Sequence, residues 1–218
     1  MTIADKRTYL LDLDALLTQI WPDNRPIYFT CHGHSVPAGY FRTPYVDPFN
    51  AYPHLFHQGL KEKYPFATLD VIVTAIGGEN SEQGAARFKE NVLIYKPDLV
   101  TIDYGLNDRS IGMVRAKAAW RSMIERSLEV DVKVILLTPT LDNTIDVKKY
   151  QEAELYRYWE QIYSLADEFK VALADSFTAW IKTCQSGIGL NTLLSQSNHP
   201  SRAGHELVAR EMLDWFPV

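Results

Sequence analysis

Short apolar runs alternate along this chain with longer amphipathic stretches. Within each run, apolar residues follow one another instead of occupying every second position, which is typical of strands buried on both faces of a parallel sheet. The stretches between them carry apolar residues at helical spacing and predict helices. The five predicted strands are the segments PIYFTC at 26–31, LDVIVTAI at 69–76, DLVTIDYG at 98–105, KVILLTP at 133–139 and VALADS at 171–176.

Helices are predicted between and around these strands. Because strands that alternate with helices form βαβ units, we expect an α/β protein with a parallel five-stranded sheet and helices on both faces. We expect one domain over residues 1–218, with residues 1–25 as a helical extension packed on it. The predicted helices cover residues 8–21, 48–64, 81–95, 113–128, 151–169 and 202–216, and Ser81 is the expected cap of the third.

Composition and charge exclude several classes of protein. Hydrophobic residues make up 46% of the chain and charged residues 22%, which is a globular rather than a disordered composition. The net charge of −5 and the lack of a Lys/Arg run argue against nucleic-acid binding. Acidic residues interrupt the apolar N-terminal stretch, and no apolar run is long enough to cross a bilayer. The sequence therefore predicts a soluble, cytoplasmic protein that binds neither nucleic acid nor membrane.

Polar residues cluster immediately after the predicted strands. In open parallel sheets, ligands bind beyond the carboxyl ends of the strands, so these residues are candidates for a functional site. Ser35 follows the first strand on a tight turn bounded by glycines. Gly77 and Gly78 follow the second strand, Asn107 follows the third, and the segment before the last helix supplies His199 and His205.

Together, these residue types are the parts of a serine hydrolase. A serine hydroxyl is a weak nucleophile at neutral pH and needs a general base, which one of the late histidines would supply. Backbone N–H groups of the serine turn and of the GG turn, and the side-chain amide of Asn107, would stabilise the negative charge that develops on the carbonyl oxygen. No metal and no organic cofactor is predicted.

The order of these motifs resembles that of the SGNH/GDSL hydrolase family. GHS at 33–35 stands where the nucleophile turn of the family usually reads GDS, and AIGGEN at 75–80 matches the second block with Gly78. GLND at 105–108 matches the third block, G-x-N-D, and QSNHP at 196–200 supplies the histidine of the last block. The resemblance covers residues 26–216. It implies a three-layer α/β/α, flavodoxin-like fold and ester hydrolysis through an acyl-enzyme on Ser35. It also implies that His199 is the base and that the N–H groups of Ser35 and Gly78 and the amide of Asn107 bind the oxyanion.

Two positions depart from the family pattern. His34 stands beside the nucleophile in place of an acid, and Gln196 replaces the aspartate of the D-x-x-H block. The third member of a catalytic triad normally fixes the histidine tautomer and stabilises the imidazolium. The candidates for that role here are the amide oxygen of Gln196, a backbone carbonyl, and Asp175 after the fifth strand.

The segment CHGH at 31–34 allows two other interpretations. A zinc site needs about three or four ligands at suitable spacing, and no second Cys/His cluster matches. Ser35 holds a better-placed turn than Cys31, so neither a metal site nor a cysteine nucleophile is predicted.

The aromatic segment at residues 40–52 either lines the substrate site or covers the core. The candidates for substrate contacts are Tyr40, Phe41 and His34.

The predicted function is that of a serine esterase acting on a small-molecule ester. A short acyl group is favoured, such as an acetyl ester of a carbohydrate or a small metabolite. The alternative is a non-catalytic sugar- or acyl-binding module on the same fold, which the missing acid at position 196 motivates. A nucleotide or flavin binder is a weaker interpretation, because no G-x-G-x-x-G or Walker loop follows the first strand. The sequence leaves the oligomeric state open, with a homo-oligomer among the options.

Overall fold

A parallel five-stranded sheet lies at the centre of the structure. The computed structural model describes residues 2–216. The strands in this part of the chain are β1 (Ile27–Gly33), β2 (Tyr40–Arg42), β3 (Tyr45–Val46), β4 (Leu69–Val73), β5 (Leu99–Asp103), β6 (Lys133–Leu137), β7 (Ala172–Ala174), β8 (Leu194–Gln196) and β9 (His199–Pro200). The central sheet has the strand order β4-β1-β5-β6-β7, and all its neighbouring strands are parallel. The first strand therefore lies inside the sheet, flanked by β4 and β5.

Helices cover both faces of this sheet. They are α1 (Leu11–Leu17), α2 (Tyr52–Lys63), α3 (Ser81–Ala86), α4 (Phe88–Asn91), α5 (Met113–Leu128), α6 (Glu154–Phe169), α7 (Ser176–Gln185), α8 (Leu190–Leu193) and α9 (Arg202–Leu213). Alternate residues of a strand point to opposite faces, and both sets are buried: Leu99 lies in one core and Val100 in the other. Helices α1, α2, α7 and α9 pack on the first face, and α4, α5 and most of α6 pack on the second. This is the expected three-layer α/β/α fold.

The five predicted core strands are confirmed, whereas the helices differ from the prediction in several places. The opening helix is confined to Leu11–Leu17. The helix predicted over residues 81–95 breaks at Arg87 into α3 and α4, because Arg87 leaves helical geometry. The cap of α3 is Asn80 rather than Ser81, since the side chains of Asn80 and Gln83 each accept the other's backbone N–H. Helix α7 was not predicted.

Two antiparallel hairpins complete the fold beyond the carboxyl end of β1. Strands β2 and β3 form the first hairpin, directly after the turn that carries Ser35. Strands β8 and β9 form the second, in which Gln196 pairs with His199. Within residues 2–216, no helix is long and apolar enough to cross a membrane.

Candidate active site

The turn after β1 presents Ser35 at the carboxyl end of the sheet. Strand β1 runs so close to β5 that a Cβ on Gly33 would lie 2.4 Å from the carbonyl oxygen of Asp103, so only glycine fits there. Backbone hydrogen bonds fold the turn: the N–H of His34 donates to the Asp103 carbonyl at 3.2 Å, and that of Tyr40 to the Ser35 carbonyl at 3.0 Å. Ser35 is thereby held in a defined and mostly buried position.

The hairpin of β8 and β9 brings His199 to Ser35. The Nε2 atom of His199 lies 2.9 Å from Ser35 Oγ in a buried contact. The hairpin is anchored beyond His199, where the N–H of Ser201 donates to the carbonyl of Leu193 at 2.8 Å. When the Ser35 hydroxyl donates a hydrogen bond to Nε2, the neutral histidine carries its proton on Nδ1. The pair has the geometry in which a histidine takes a proton from a serine hydroxyl.

The hydrogen bonding of the second ring nitrogen of His199 differs from expectation. Within residues 2–216, its Nδ1 atom has no hydrogen-bond partner. The amide oxygen of Gln196 instead accepts the backbone N–H of Thr43 at 2.9 Å. The carboxylate of Asp175 caps α7 and accepts the indole N–H of Trp159 at 2.8 Å. Neither Gln196 nor Asp175 makes the contact to Nδ1 that the sequence suggested, because each side chain is engaged elsewhere.

The surroundings of His199 set its charge state. Burial and, secondly, the nearby His34 lower the pKa of His199 below its ordinary value. His199 is therefore neutral at neutral pH. The neutral imidazole is the form that can accept a proton from a nucleophile.

Gly78 and Asn107 lie on two loops that are joined to each other. Gly78 has a φ of +83°, which favours glycine, and no atom lies within 4 Å of its Cβ position. The Asn107 amide donates to the backbone carbonyl of Glu79 at 2.8 Å. Asp108, which is buried, accepts the N–H of Ser81 at 2.8 Å and ties the second loop to the start of α3. Because β4 and β5 flank β1, these loops lie on either side of the nucleophile turn.

The part of the chain that carries Ser35, Gly78, Asn107 and His199 matches a known protein family. Residues 31–207 match the model of the GDSL-like lipase/acylhydrolase family, so the match includes the whole span from Ser35 to His199. The chain belongs to this family. The resemblance to the SGNH/GDSL hydrolases is thereby confirmed, and the protein is a carboxylic ester hydrolase. Family membership does not favour the non-catalytic module.

Individual proteins that this chain resembles are esterases. An acetylxylan esterase from Geobacillus stearothermophilus is 26% identical over 168 residues, which are 71% of this chain and 75% of that protein. A solved acetylxylan esterase structure from the same species has a TM-score of 0.75 at 21% identity, over 88% of this chain and 94% of the other. A two-domain esterase active on acetylated mannans has a TM-score of 0.75 at 19% identity, over 95% of this chain and 52% of the other. The structural likeness confirms the fold of the family.

Tyr40 and Phe41, two of the predicted substrate contacts, differ in burial and in their neighbours. Tyr40 is half-buried beside the site, with its ring centroid 6.1 Å from that of His199. Phe41 is 8% exposed and packs at 5.0 Å from the ring of the fully buried His205. Tyr40 therefore lies beside the candidate site, whereas Phe41 is buried in the interior.

His34, the third predicted contact, is turned into the protein. It is 1% exposed. Its Nδ1 atom accepts the N–H of Val36 at 3.1 Å, and its Nε2 atom lies 3.4 Å from Asp103 Oδ1 without the alignment of a hydrogen bond. Both nitrogens face protein groups, so His34 does not line the substrate side of the turn. Its observed contacts shape the turn that holds Ser35.

Cys31 and His32, which begin the CHGH segment, lie in the interior. Burial raises the pKa of the Cys31 thiol to about 12, which keeps it protonated. The two ring nitrogens of His32 contact the Thr74 hydroxyl at 2.9 Å and the Tyr104 hydroxyl at 3.1 Å. In the described part of the chain, no group of three or more His, Cys, Asp or Glu side chains could hold a metal ion.

Two surface grooves lie away from Ser35. One has a volume of 530 Å³ and is lined by Asp98 and Lys133, at the amino ends of β5 and β6. The other has a volume of 830 Å³ and lies between α4 and the end of α5. Four charged side chains of the first groove form two ion pairs, Asp98 with Arg25 and Lys133 with Asp12. Chemistry rather than groove size therefore identifies the candidate site.

Proposed function

We propose that this protein is a serine esterase that removes acetyl groups from small acetylated carbohydrates. The observation that carries the proposal is the 2.9 Å contact between Ser35 Oγ and His199 Nε2. This contact puts a nucleophile and a base within hydrogen-bond reach at the carboxyl end of β1. The position is the one expected for a ligand site in an open parallel sheet.

In the first half of the proposed reaction, Ser35 becomes acetylated. His199 Nε2 takes the hydroxyl proton as Ser35 Oγ attacks the ester carbonyl carbon. The tetrahedral intermediate then collapses, the bond to the alkoxy oxygen breaks, and His199 gives the proton to the leaving alcohol. In the second half, His199 takes a proton from water as the water oxygen attacks the acetyl carbon. Acetic acid leaves, and His199 returns the proton to Ser35 Oγ.

Three donors would stabilise the oxyanion in both halves. They are the N–H groups of Ser35 and Gly78 and the side-chain amide of Asn107. An amide group has two N–H donors, and Asn107 uses one on the Glu79 carbonyl. The second N–H remains for the substrate. Glycine at position 78 also supports this role, because it places no side chain of its own beside the N–H group and its φ of +83° favours glycine.

His199 would act in a dyad rather than a triad. Its Nδ1 atom has no carboxylate partner among the described residues. Its position comes from the backbone of the β8–β9 hairpin, which Gln196 connects to Thr43 on the neighbouring hairpin. We therefore infer that Gln196 supports His199 through the hairpin and not through a charge on the imidazole.

The choice of acetylated carbohydrates rests on the relatives and on Tyr40. The similar proteins include an acetylxylan esterase and an esterase active on acetylated mannans. A half-buried aromatic ring next to His199 is suited to stacking on a sugar face. A cytoplasmic location, which would favour small sugars over polymers, stays a prediction, as does a homo-oligomeric state.

A substrate series tests this proposal. We would measure kcat/KM for p-nitrophenyl acetate, butyrate and octanoate, and acetate release from acetylated xylo-oligosaccharides, with Ser35→Ala as the control. We expect the acetyl esters to react fastest and the control to be inactive on all of them. Faster hydrolysis of octanoate would overturn the short-acyl assignment. A wild type that hydrolyses none of these esters would overturn the proposed function.

A further inference from the structure

An ion pair that has no role in the proposed chemistry joins Glu79, on the loop after β4, to Arg87, at the end of α3. The Nε atom of Arg87 is 2.9 Å and 3.0 Å from the two carboxylate oxygens of Glu79, and its Nη2 atom is 2.6 Å from Oε2. The side chains are only 17% and 13% exposed. A fork-like contact of this kind fixes geometry, whereas exposed ion pairs contribute little. The pair is therefore a rigid connection within the protein.

The same guanidinium closes the loop that contains Gly78. Arg87 Nη2 also donates to the carbonyl of Thr74 at 2.7 Å, just after β4. One side chain thus connects both ends of the segment 74–79. Gly78 has no neighbour within 4 Å of its Cβ position. Two backbone hydrogen bonds hold the middle of this segment, from the Ile76 N–H to the Gly33 carbonyl at 3.0 Å and from the Glu79 N–H to the Ile76 carbonyl at 3.3 Å. The contacts of Thr74 and Glu79 with Arg87 fix its two ends.

Glu79 also contacts the loop after β5. Its backbone carbonyl accepts the Asn107 amide at 2.8 Å, and its Oε2 atom accepts the Tyr104 hydroxyl at 3.3 Å. Glu79 is adjacent to Gly78 in the chain and bonded to Asn107 in space. A displacement of Glu79 would therefore move both proposed oxyanion donors.

The hydrogen bonds of His32 leave the hydroxyl hydrogen of Tyr104 available to Glu79. The Gly84 carbonyl can only accept, so His32 Nε2, 3.2 Å away, carries the ring proton and also faces the hydroxyl oxygen of Tyr104 at 3.1 Å. His32 Nδ1 then accepts a hydrogen bond from the Thr74 hydroxyl at 2.9 Å. The Tyr104 hydroxyl hydrogen is then free to point at Glu79. Burial and, secondly, the charge of Arg87 lower the pKa of His32 to about 3, so no second cation competes for this carboxylate.

We propose that the Arg87–Glu79 ion pair positions the two oxyanion donors that lie outside the nucleophile turn, Gly78 and Asn107. The inference rests on the proposed function, because it needs an oxyanion to form at Ser35. Arg87 and Glu79 are positioning residues and do not touch the substrate. Their effect falls on the transition state, in which the oxyanion develops, and not on the bound ester.

The test compares Arg87→Met and Glu79→Gln with a matched control, Arg115→Met. Arg115 pairs with Glu82 between α5 and α3, and this pair is exposed and has no contact to Asn107. We expect kcat for p-nitrophenyl acetate to fall about 10- to 100-fold in Arg87→Met, because misplacement of reacting groups by about 1 Å can cost 10²-fold. KM should stay within about twofold, since the lost interaction belongs to the transition state. Arg115→Met should match wild type.

A double-variant comparison separates positioning from stability. In an Asn107→Ala background, Arg87→Met should cost about threefold or less in kcat, because one of the donors that it positions is already gone. Arg87→Lys, which keeps the charge but loses the fork, should fall between wild type and Arg87→Met and serves if the methionine variant does not fold. An active wild type with unchanged kcat in a folded Arg87 variant would overturn this inference alone. So would equal costs in both backgrounds. A wild type without turnover would overturn the proposed function and this inference with it.

Discussion

Replacing Gly84 with alanine tests the packing beneath the Glu79 loop. A Cβ at position 84 would lie 2.2 Å from the hydroxyl oxygen of Tyr104, 2.4 Å from its Cζ and 2.7 Å from its Cε2. Ordinary contacts begin near 3.4 Å, so the ring or the helix would have to move by about 1 Å. The Tyr104 ring is fully buried and its hydroxyl contacts His32 and Glu79, so it has little freedom to move.

The expected cost of Gly84→Ala follows from two opposing effects. Overpacking costs about 1–3 kcal/mol, and alanine regains up to about 1 kcal/mol of helix propensity. We therefore expect a net loss of about 1–2 kcal/mol, which lowers Tm by about 2–8 °C for a chain of this size. Calorimetry measures Tm, and Gly189→Ala is the control, because no atom lies within 4 Å of its Cβ position. A Gly84→Ala protein as stable as the control would refute the packing argument.

Three further predictions concern pH and the histidine hairpin. Burial lowers the pKa of His32 and of His205 to about 3, so each contributes stability above pH 6.5 that is lost as the pH falls towards 3. Urea unfolding should give a free energy about 2–3 kcal/mol lower at pH 5.5 than at pH 7.5, and equal values would contradict their burial as neutral groups. The pKa of His199 is lowered, and the base must be neutral, so kcat/KM should rise with pH through a midpoint below about 6.5; a midpoint above 7 would argue against His199 as the base. Gln196→Ala should reduce kcat/KM by less than about tenfold, because it removes one exposed hydrogen bond to Thr43; a loss near 10⁴-fold would reveal a role like that of a triad acid.

The central strands of the sheet could be predicted from the sequence because they are buried on both faces. Such strands carry continuous apolar residues, as in residues 134–137 of β6, and this pattern does not depend on the rest of the fold. Helix ends depend on side chains that reach across the chain. Arg87 lies inside a helical pattern, but its guanidinium binds Glu79 and Thr74, and the helix breaks there.

The residues of the candidate site were found because they follow strand ends in a fixed order. Ser35 and His199 are 164 positions apart in the chain, yet their atoms lie 2.9 Å apart. The orientation of His34 could not be predicted, because it depends on Asp103 of a neighbouring strand. Gln196 and Asp175 were assigned by spacing, and their actual partners come from other loops and helices. Arg87 carried no motif that could have revealed it.

Covalent labelling of Ser35 tests the central claim most directly. Intact protein would be treated with a fluorophosphonate and weighed by mass spectrometry, beside Ser35→Ala and His199→Ala. An activated serine predicts one adduct on the wild type, none on Ser35→Ala, and strongly slowed labelling of His199→Ala. No adduct on folded wild type, or an adduct that persists in Ser35→Ala, would contradict the assignment of Ser35 as a nucleophile activated by His199.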